Sequence, residues 1–306
     1  MERIVLVIVG PTCSGKTTLG LKMASEIDGE IISADSRQVF KFLDVGTAKP
    51  SHQVLSQIKH HFVDILNPDQ ECNASKFEQL SLSLIEKIYL KNCNPIVVGG
   101  SGLYISALID GIFNSVDTDE DYRDELLQLR KENGNEFLYQ LLNKADPVSA
   151  SKMLPQNWKR VMRALEVFHL TGEPIWKHQQ NYKRESNFVF KQYGLMWDRE
   201  ALYQNIEARV DRMIETGLIE ETKRVLELGY SPELNSLNTV GYKEIISYLK
   251  NEITLDRAVE LIKRNTRRYA KRQLTWFRKD ERIKWFDVNG EDDLEIIGRK
   301  IVKEIN

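Results

Sequence analysis

Two kinds of hydrophobic pattern alternate through the first hundred residues. Ile4-Val5-Leu6-Val7-Ile8-Val9 is an unbroken apolar run, Glu30–Ala34 contains a shorter one, and Pro95-Ile96-Val97-Val98 is a third. Short continuous runs of this kind, bounded by turn residues, suit strands buried on both faces. Between them the apolar positions recur with helical spacing, from about Lys16 to Ile27 and again over Ala74–Lys91 behind the cap residue Asn73. Strands alternating with helices predict an α/β fold with a parallel sheet flanked by helices. From about Val116 to Lys191 the chain turns polar and shows no buried strand; Asp119–Glu132, Glu136–Lys144 and Trp158–Thr171 are its candidate helices. That predicts a helical insertion over 116–191 within a core of 1–115 and 192–306. Gly194–Trp197 is expected to resume the sheet, followed by helices over Glu200–Thr216, Leu218–Leu228, Tyr242–Leu249 and Leu255–Arg278.

The turn after the first run changes the picture most. Gly10-Pro11-Thr12-Cys13-Ser14-Gly15-Lys16-Thr17 matches G-x-x-x-x-G-K-[S/T] at every fixed position, and it sits between a buried strand and a helix, as that motif requires. Its glycines let several backbone N–H groups converge on one anion, and the helix that follows adds its positive end. Lys16 supplies a cation, and Thr17 a hydroxyl able to ligate Mg2+. The loop therefore binds a di- or triphosphate, and the core is of the P-loop NTPase-like class. In open parallel sheets ligands sit at the carboxyl ends of the strands. That rule places the loop, Asp35 and Ser101 along one crevice. The third strand runs into Gly99-Gly100-Ser101-Gly102 rather than into the Asp that commonly supports magnesium in nucleotide hydrolases. Asp35 has two readings of equal weight: support of magnesium through water, or a base facing an acceptor. A kinase that phosphorylates a small molecule or an RNA end is the rival from another reaction class.

Net charge is −2 over 306 residues, which selects no partner by itself. Its distribution does. From Arg257 to Lys284 there are eleven Lys and Arg against three acids, while Asp110 to Glu132 holds eight acids against three bases. In the basic segment Arg257, Arg264, Arg268, Lys271 and Arg272 recur near helical spacing with Tyr269 and Trp276 among them, and Leu261, Ile262, Tyr269 and Phe277 are expected to face the core. Cations beside aromatic rings suit a phosphate backbone with unstacked bases. Cys13, Cys72 and Cys93 lack metal-ligand spacing, and none of the histidines has it with a nearby Cys or acid. Unpaired cysteines suit a reducing compartment. No run approaches the roughly 18–20 apolar residues that span a bilayer. A cytoplasmic protein without membrane contact, acting as a monomer, is expected.

The chain resembles the bacterial tRNA dimethylallyltransferases (tRNA isopentenyltransferases) over nearly its whole length. The motifs that carry the resemblance are the phosphate loop with Thr18, Asp35-Ser36-Arg37-Gln38, Gly46-Thr47-Ala48-Lys49-Pro50, His60-His61, Val98–Tyr104, Arg163–Val167, Val240-Gly241-Tyr242-Lys243-Glu244, and Ala270–Gln273 with Thr275–Arg278. The phosphate loop is shared by many enzyme types; its combination with the others is specific. Family membership implies transfer of a dimethylallyl group from dimethylallyl diphosphate to the exocyclic N6 amine of the adenosine 3′ of the anticodon in tRNA, with release of pyrophosphate. The loop then holds a prenyl diphosphate with Mg2+, not ATP. Asp35, Lys16, Thr17, Arg209 and Ser101 are the implied catalytic group. Ser101 stands where many members carry Thr and keeps the hydroxyl. The implied tRNA contacts are Asp35, Ser36, Arg37 and Gln38; Ser101 and Arg123; Lys159, Arg160, Val161, Met162 and Arg163; Asn238, Thr239, Val240, Gly241, Tyr242 and Lys243; and Lys271, Arg272, Gln273, Leu274, Thr275, Trp276, Phe277 and Arg278. The helical insertion is implied to grip the anticodon stem-loop.

Overall fold

A computed structural model describes residues 2–112, 116, 118–181, 184 and 186–305. In chain order its elements are β1 Ile4–Val9, α1 Lys16–Glu26, β2 Gly29–Ala34, α2 His52–Gln57, β3 His60–His61, α3 Ala74–Leu90, β4 Asn94–Gly99, α4 Gly102–Asp110, α5 Glu120–Ala145, α6 Pro147–Ser151, a 3-10 turn Pro155–Asn157, α7 Trp158–Thr171 and α8 Ile175–Asn181. The chain then continues through β5 Val189–Trp197, α9 Arg199–Glu215, α10 Leu218–Glu227, α11 Tyr242–Leu249, α12 Leu255–Phe277, β6 Lys284–Val288 and α13 Asp293–Lys303. The chain divides into two compact units, one running to Ile109 and resuming at Ser186, the other Asp110–Glu185.

In the first unit the strands form one parallel sheet in the order β3-β2-β4-β1-β5-β6. β1 lies inside it, with Val9 level with Gly99 on β4 and Gly194 on β5. Its residues from Val5 onward are buried, which is why the sequence shows a run rather than an alternation. On one face α1 and α13 bring Leu19, Met23, Leu294, Ile297 and Ile301 against Leu6, Ile8, Ile96 and Leu195. Elsewhere α3 buries Phe77, Ile85 and Ile88. A separate core forms where the segment Val39–Leu43 meets α9 through α12, with Val210, Val225, Tyr242, Ile245 and Ile262 at its centre.

Glu221 on α10 organises that second core. It is 1% exposed, and its carboxylate accepts the backbone N–H groups of Asp44, Val45 and Gly46 at 2.9, 2.8 and 3.0 Å and the Tyr242 hydroxyl at 2.6 Å. Tyr242 in turn leaves no room at position 46: a Cβ there comes within 2.5 Å of its ring. Lys49, with a side chain only 3% exposed, donates to the Phe40 carbonyl, Asp44 and Asp64. The motifs around Gly46–Pro50 and Gly241–Glu244 are thus two halves of one packing arrangement.

The second unit packs α5, α6, α7 and α8 around Leu138, Leu142, Val161, Ala164 and Leu165. The two helices expected over 119–144 are both present within α5 and are separated at Gly134, whose φ of 82 and ψ of 176 are not helical. Of the two expected insertion boundaries, only the second meets a contrary observation. The first, after Ser115, falls at residues outside the described set. The second is too late: Val189, Phe190 and Lys191 already pair with Ile4, Val5 and Leu6, so they belong to the core sheet. β5 begins with a mixed exposure pattern and becomes fully buried only from Gln192 to Leu195, so its start carries no apolar run. The sequence reading also missed α2, β3, α4, α6, α8, β6 and α13. β3 is two residues long and β6 is an edge strand with a single buried residue, so neither shows a strand period.

Removing the buried acceptor that serves four donors, one of them the buried Tyr242 hydroxyl, is expected to be costly. Glu221→Ala should lower unfolding free energy by about 3 kcal/mol or more, and Tyr242→Phe by about 1 kcal/mol. Urea denaturation followed by circular dichroism measures both; equal, sub-kcal losses contradict this role for Glu221.

Candidate active site

The crevice is built where β1, β2 and β4 end side by side. After β1 the chain passes through Gly10 into the phosphate loop and enters α1 at Gly15, whose φ of 87 is natural only for glycine. Two contacts from the loop's surroundings and one within it set its shape. The Trp197 indole donates to the Ser14 carbonyl at 3.0 Å, Gln273 Oε1 accepts the Thr12 N–H at 2.8 Å, and the Lys16 ammonium donates to the Pro11 carbonyl. Arg209 on α9 reaches Thr12 Oγ1 at 3.2 Å and Cys13 Sγ at 3.7 Å, so a second cation stands beside the loop. Cys13 itself packs against the small apolar cluster of Leu202, Ile206 and Ala270.

β2 delivers Asp35 just beyond Ala34. One carboxylate oxygen accepts the Arg37 N–H at 2.8 Å; no other donor among the described residues reaches this side chain. β4 delivers Ser101, whose N–H donates to the Ala34 carbonyl at 3.1 Å and whose Oγ accepts the Ser36 N–H at 3.0 Å. Ser101 therefore holds the turn that carries Asp35.

Two adjoining cavities share this acid. A cavity of about 890 Å³ is lined by Thr12–Thr17, Asp35 and Arg209, with Ile31, Ser33, Val98, Leu55 and His60 further along it. Ile31 and Ser33 share one face of β2 and Asp35 follows just past its end, so the cavity is lined by an apolar residue, a hydroxyl and an acid in succession. A cavity of about 320 Å³ is lined by Asp35, Ser36, Arg37, Asn238, Thr239, Val240, Lys243 and Arg272. Thr12, Asp35, Arg209 and Tyr269 line both. A shallow depression of about 370 Å³ is formed by α12 and the turn beyond it, through Arg268, Lys271, Arg272, Thr275, Trp276 and Lys279.

Electrostatics divides the crevice into a cationic end and an acidic centre. Burial is the main cause that pulls the Lys16 ammonium down to about 8; Arg209 adds to this and Asp35 opposes it. An anion arriving at the loop restores what burial removes. Partial burial and then the charge of Asp35 push the Tyr269 hydroxyl up to about 12, so it stays a neutral donor at physiological pH. The sequence places Tyr269 toward the core. It is instead 36% exposed and lines both cavities, because the buried line of α12 runs through Ala258, Ile262, Ala270, Gln273 and Phe277.

Several residues implied as RNA contacts are occupied otherwise. Gln38 accepts from Ser33 Oγ at 3.0 Å and donates to the carbonyls of Thr47 and Ala48 at 3.3 Å. Tyr242, Phe277, Val161 and Met162 are buried side chains, and so is Gln273. Leu274 packs partly into the Leu202 cluster. In the second unit Glu166, fully buried, takes the Arg123 Nε at 2.7 Å and the Arg163 Nη1 at 2.5 Å, so both guanidiniums spend donors on it. Lys159 and Arg160 are exposed, as are Asn238, Lys243, Lys271, Arg272, Thr275, Trp276 and Arg278. A side chain inside such a motif points inward or outward according to helical register, which a matched stretch of sequence does not distinguish.

No group of three or more His, Cys, Asp or Glu side chains placed to hold a metal occurs among the described residues. Thr17, exposed at the first turn of α1 and lining the larger cavity, fits a magnesium ion that takes most of its ligands from water and substrate phosphate. No helix of the described chain is long and apolar enough to cross a membrane.

Comparison with known proteins agrees with this geometry. The family model described as IPP transferase matches residues 38–280. The chain is 47% identical to the tRNA dimethylallyltransferase of Carboxydothermus hydrogenoformans over 99% of its own length and 98% of the relative's. It is 45% identical to that of Acetivibrio thermocellus, over 98% and 96%. Among solved structures, the tRNA isopentenylpyrophosphate transferase of Bacillus halodurans aligns with TM-score 0.72 at 38% identity, covering 99% of this chain and 96% of that one. A eukaryotic dimethylallyltransferase acting on tRNA aligns with TM-score 0.81 at 28% identity, over 99% and 80%. With a family match across most of its length and relatives near half identity end to end, the chain belongs to the IPP transferase family.

Proposed function

We propose that this protein transfers a dimethylallyl group from dimethylallyl diphosphate to the N6 amine of the adenosine 3′-adjacent to the anticodon in tRNA, releasing pyrophosphate. The observation that carries this reading is the position of Asp35. It is shared by a cavity that begins at the phosphate loop and by one lined with outward-facing residues of the Asn238–Lys243 segment and α12.

In the reaction the adenine nitrogen attacks the carbon that bears the diphosphate. The carbon–nitrogen bond forms, the carbon–oxygen bond breaks, and the electron pair leaves with pyrophosphate. An aromatic amine is a weak nucleophile but becomes strongly acidic as it is alkylated. Asp35 accepts that proton. Negative charge growing on the leaving group meets Lys16, Arg209 and the loop amides, which are in place before the reaction begins. Magnesium held at Thr17 supplies further charge neutralisation of the diphosphate when bound. The target adenine must leave its stack, at a cost of a few kcal/mol that contacts in the crevice offset. Tyr269, with an exposed ring beside Asp35, is placed to receive it. The exposed cations of α12 and Lys243 suit the phosphate backbone. A cytoplasmic, monomeric enzyme fits the free cysteines and the tRNA substrate.

The decisive experiment incubates the protein with unmodified tRNA and dimethylallyl diphosphate and analyses the nucleosides by mass. A gain of one prenyl group on adenosine, with pyrophosphate released and ATP untouched, is expected; ADP production coupled to RNA phosphorylation contradicts it. Asp35→Ala should reduce kcat about 10²–10⁴-fold while leaving tRNA affinity nearly unchanged. Donor affinity should be pH-dependent through Lys16. Its charged form is favoured by the bound diphosphate, so its pKa rises on binding from about 8 and the complex takes up a proton. Affinity is then full below pH 8 and falls about tenfold per unit as pH rises beyond it. Titration calorimetry of donor binding checks this, and Lys16→Met should flatten the profile.

A further inference from the structure

The contacts of Gln273 are at odds with its place in the chain. It lies on α12 in the stretch Lys271–Arg278, and its neighbours Lys271, Arg272, Thr275 and Trp276 are exposed. Its own side chain is 6% exposed. Oε1 accepts the Thr12 N–H at 2.8 Å and Nε2 donates to the Gly100 carbonyl at 2.9 Å. Those two backbone groups belong to different turns, the one after β1 and the one after β4. The fit is close: a Cβ at Gly100 comes within 2.2 Å of Gln273 Nε2. Each turn passes the constraint on. The Thr12 hydroxyl receives Arg209, and Ser101, next to Gly100, holds the turn that carries Asp35.

We propose that Gln273 is a positioning residue for the donor diphosphate: its single amide clamps the phosphate-loop turn and the β4 turn onto α12, and it does so without touching RNA. The proposal rests on the reading that the phosphate loop holds the prenyl donor. A carboxamide provides an acceptor and a donor from one planar group. A carboxylate provides acceptors only and meets the Gly100 carbonyl with a lone pair. A protonated carboxyl provides both again. The helix that offers cations to RNA on its outer side therefore fixes, from its inner side, where the loop amide of Thr12 and the Arg209 guanidinium stand.

The test compares wild type with Gln273→Met and Gln273→Glu, with Arg272→Ala as a reference for loss of an exposed cation. Steady-state kinetics with donor and tRNA varied separately are combined with donor-free tRNA affinity across a range of salt. Gln273→Met should raise the donor KM about 10- to 100-fold, as expected when a buried carbonyl and a part-buried N–H both lose their partner. Its donor-free tRNA affinity should stay within about twofold of wild type with an unchanged salt slope, whereas Arg272→Ala should make that slope shallower. Gln273→Glu should match the methionine variant at pH 8. Relative to wild type, its kcat/KM for donor should then recover as pH falls and the carboxyl regains a proton. That recovery is a signature that generic loosening of the fold does not produce, and it decides the matter even if Gln273→Met fails to melt cooperatively. An unaltered donor KM overturns the clamp. So does donor-free tRNA binding weakened as much as in Arg272→Ala, or a Gln273→Glu defect that ignores pH. Absence of prenyl transfer by the wild type overturns the reading of the loop itself. Wild-type transfer with unaffected variants overturns the clamp alone.

Discussion

Backbone amides that end a buried strand have to find partners, and in this protein that requirement shapes the whole crevice. β1 is enclosed by β4 and β5 and covered on its faces, so its chain can leave only at the carboxyl edge of the sheet. There it enters a glycine-rich turn, the kind of segment whose N–H groups can converge on an anion. β2 and β4 run parallel to it and end at the same edge, which brings Asp35 and Ser101 to the turn without any long-range targeting. The chemistry follows from that shared edge: cations and amides on one side, one acid on the other.

The edge by itself leaves three loops free to drift, and the helical half of the same unit restrains them. Trp197 at the end of β5, Arg209 on α9 and Gln273 on α12 each reach a different atom of the phosphate loop. Further back, Glu221 and Lys49 hold the segment between β2 and β3 by serving its backbone groups with buried charge. Buried charged groups are tolerated where several partners surround them, and both of these have three or more. The consequence is a rigid frame around a cavity whose two principal cations, Lys16 and Arg209, are kept close to one another before any substrate arrives. Burial weakens the hold of Lys16 on its proton, and binding an anion reverses that, so the loop is preset for negative charge.

Much of this was legible in the residues themselves. The run Ile4–Val9 followed by Gly10–Thr17 specifies strand, turn and helix through local chemistry alone, since no alternative conformation satisfies both the apolar run and the anion-binding turn. The family motifs likewise pick out Asp35, Ser101 and Arg209, and all three line or border the crevice. Less was legible where side-chain direction matters. Tyr269 and Gln273 are four residues apart on α12, yet one is exposed beside Asp35 and the other is buried against Thr12 and Gly100. Arg123 and Arg163 look like free cations along the chain and turn out to share Glu166.

What the sequence alone determined was the set of buried strands, the phosphate loop and the identity of the chemical groups, because those depend on hydrophobic run length and on turn residues within a few positions of each other. What only the tertiary structure decided was which polar side chains face the crevice and which meet backbone. That choice depends on helical register against partners far away in the chain: Gln273 finds Thr12, 261 positions earlier, and Glu221 finds Asp44, 177 positions earlier. Burial then assigns each its role, since a buried backbone donor left without an acceptor costs more than a surface contact returns.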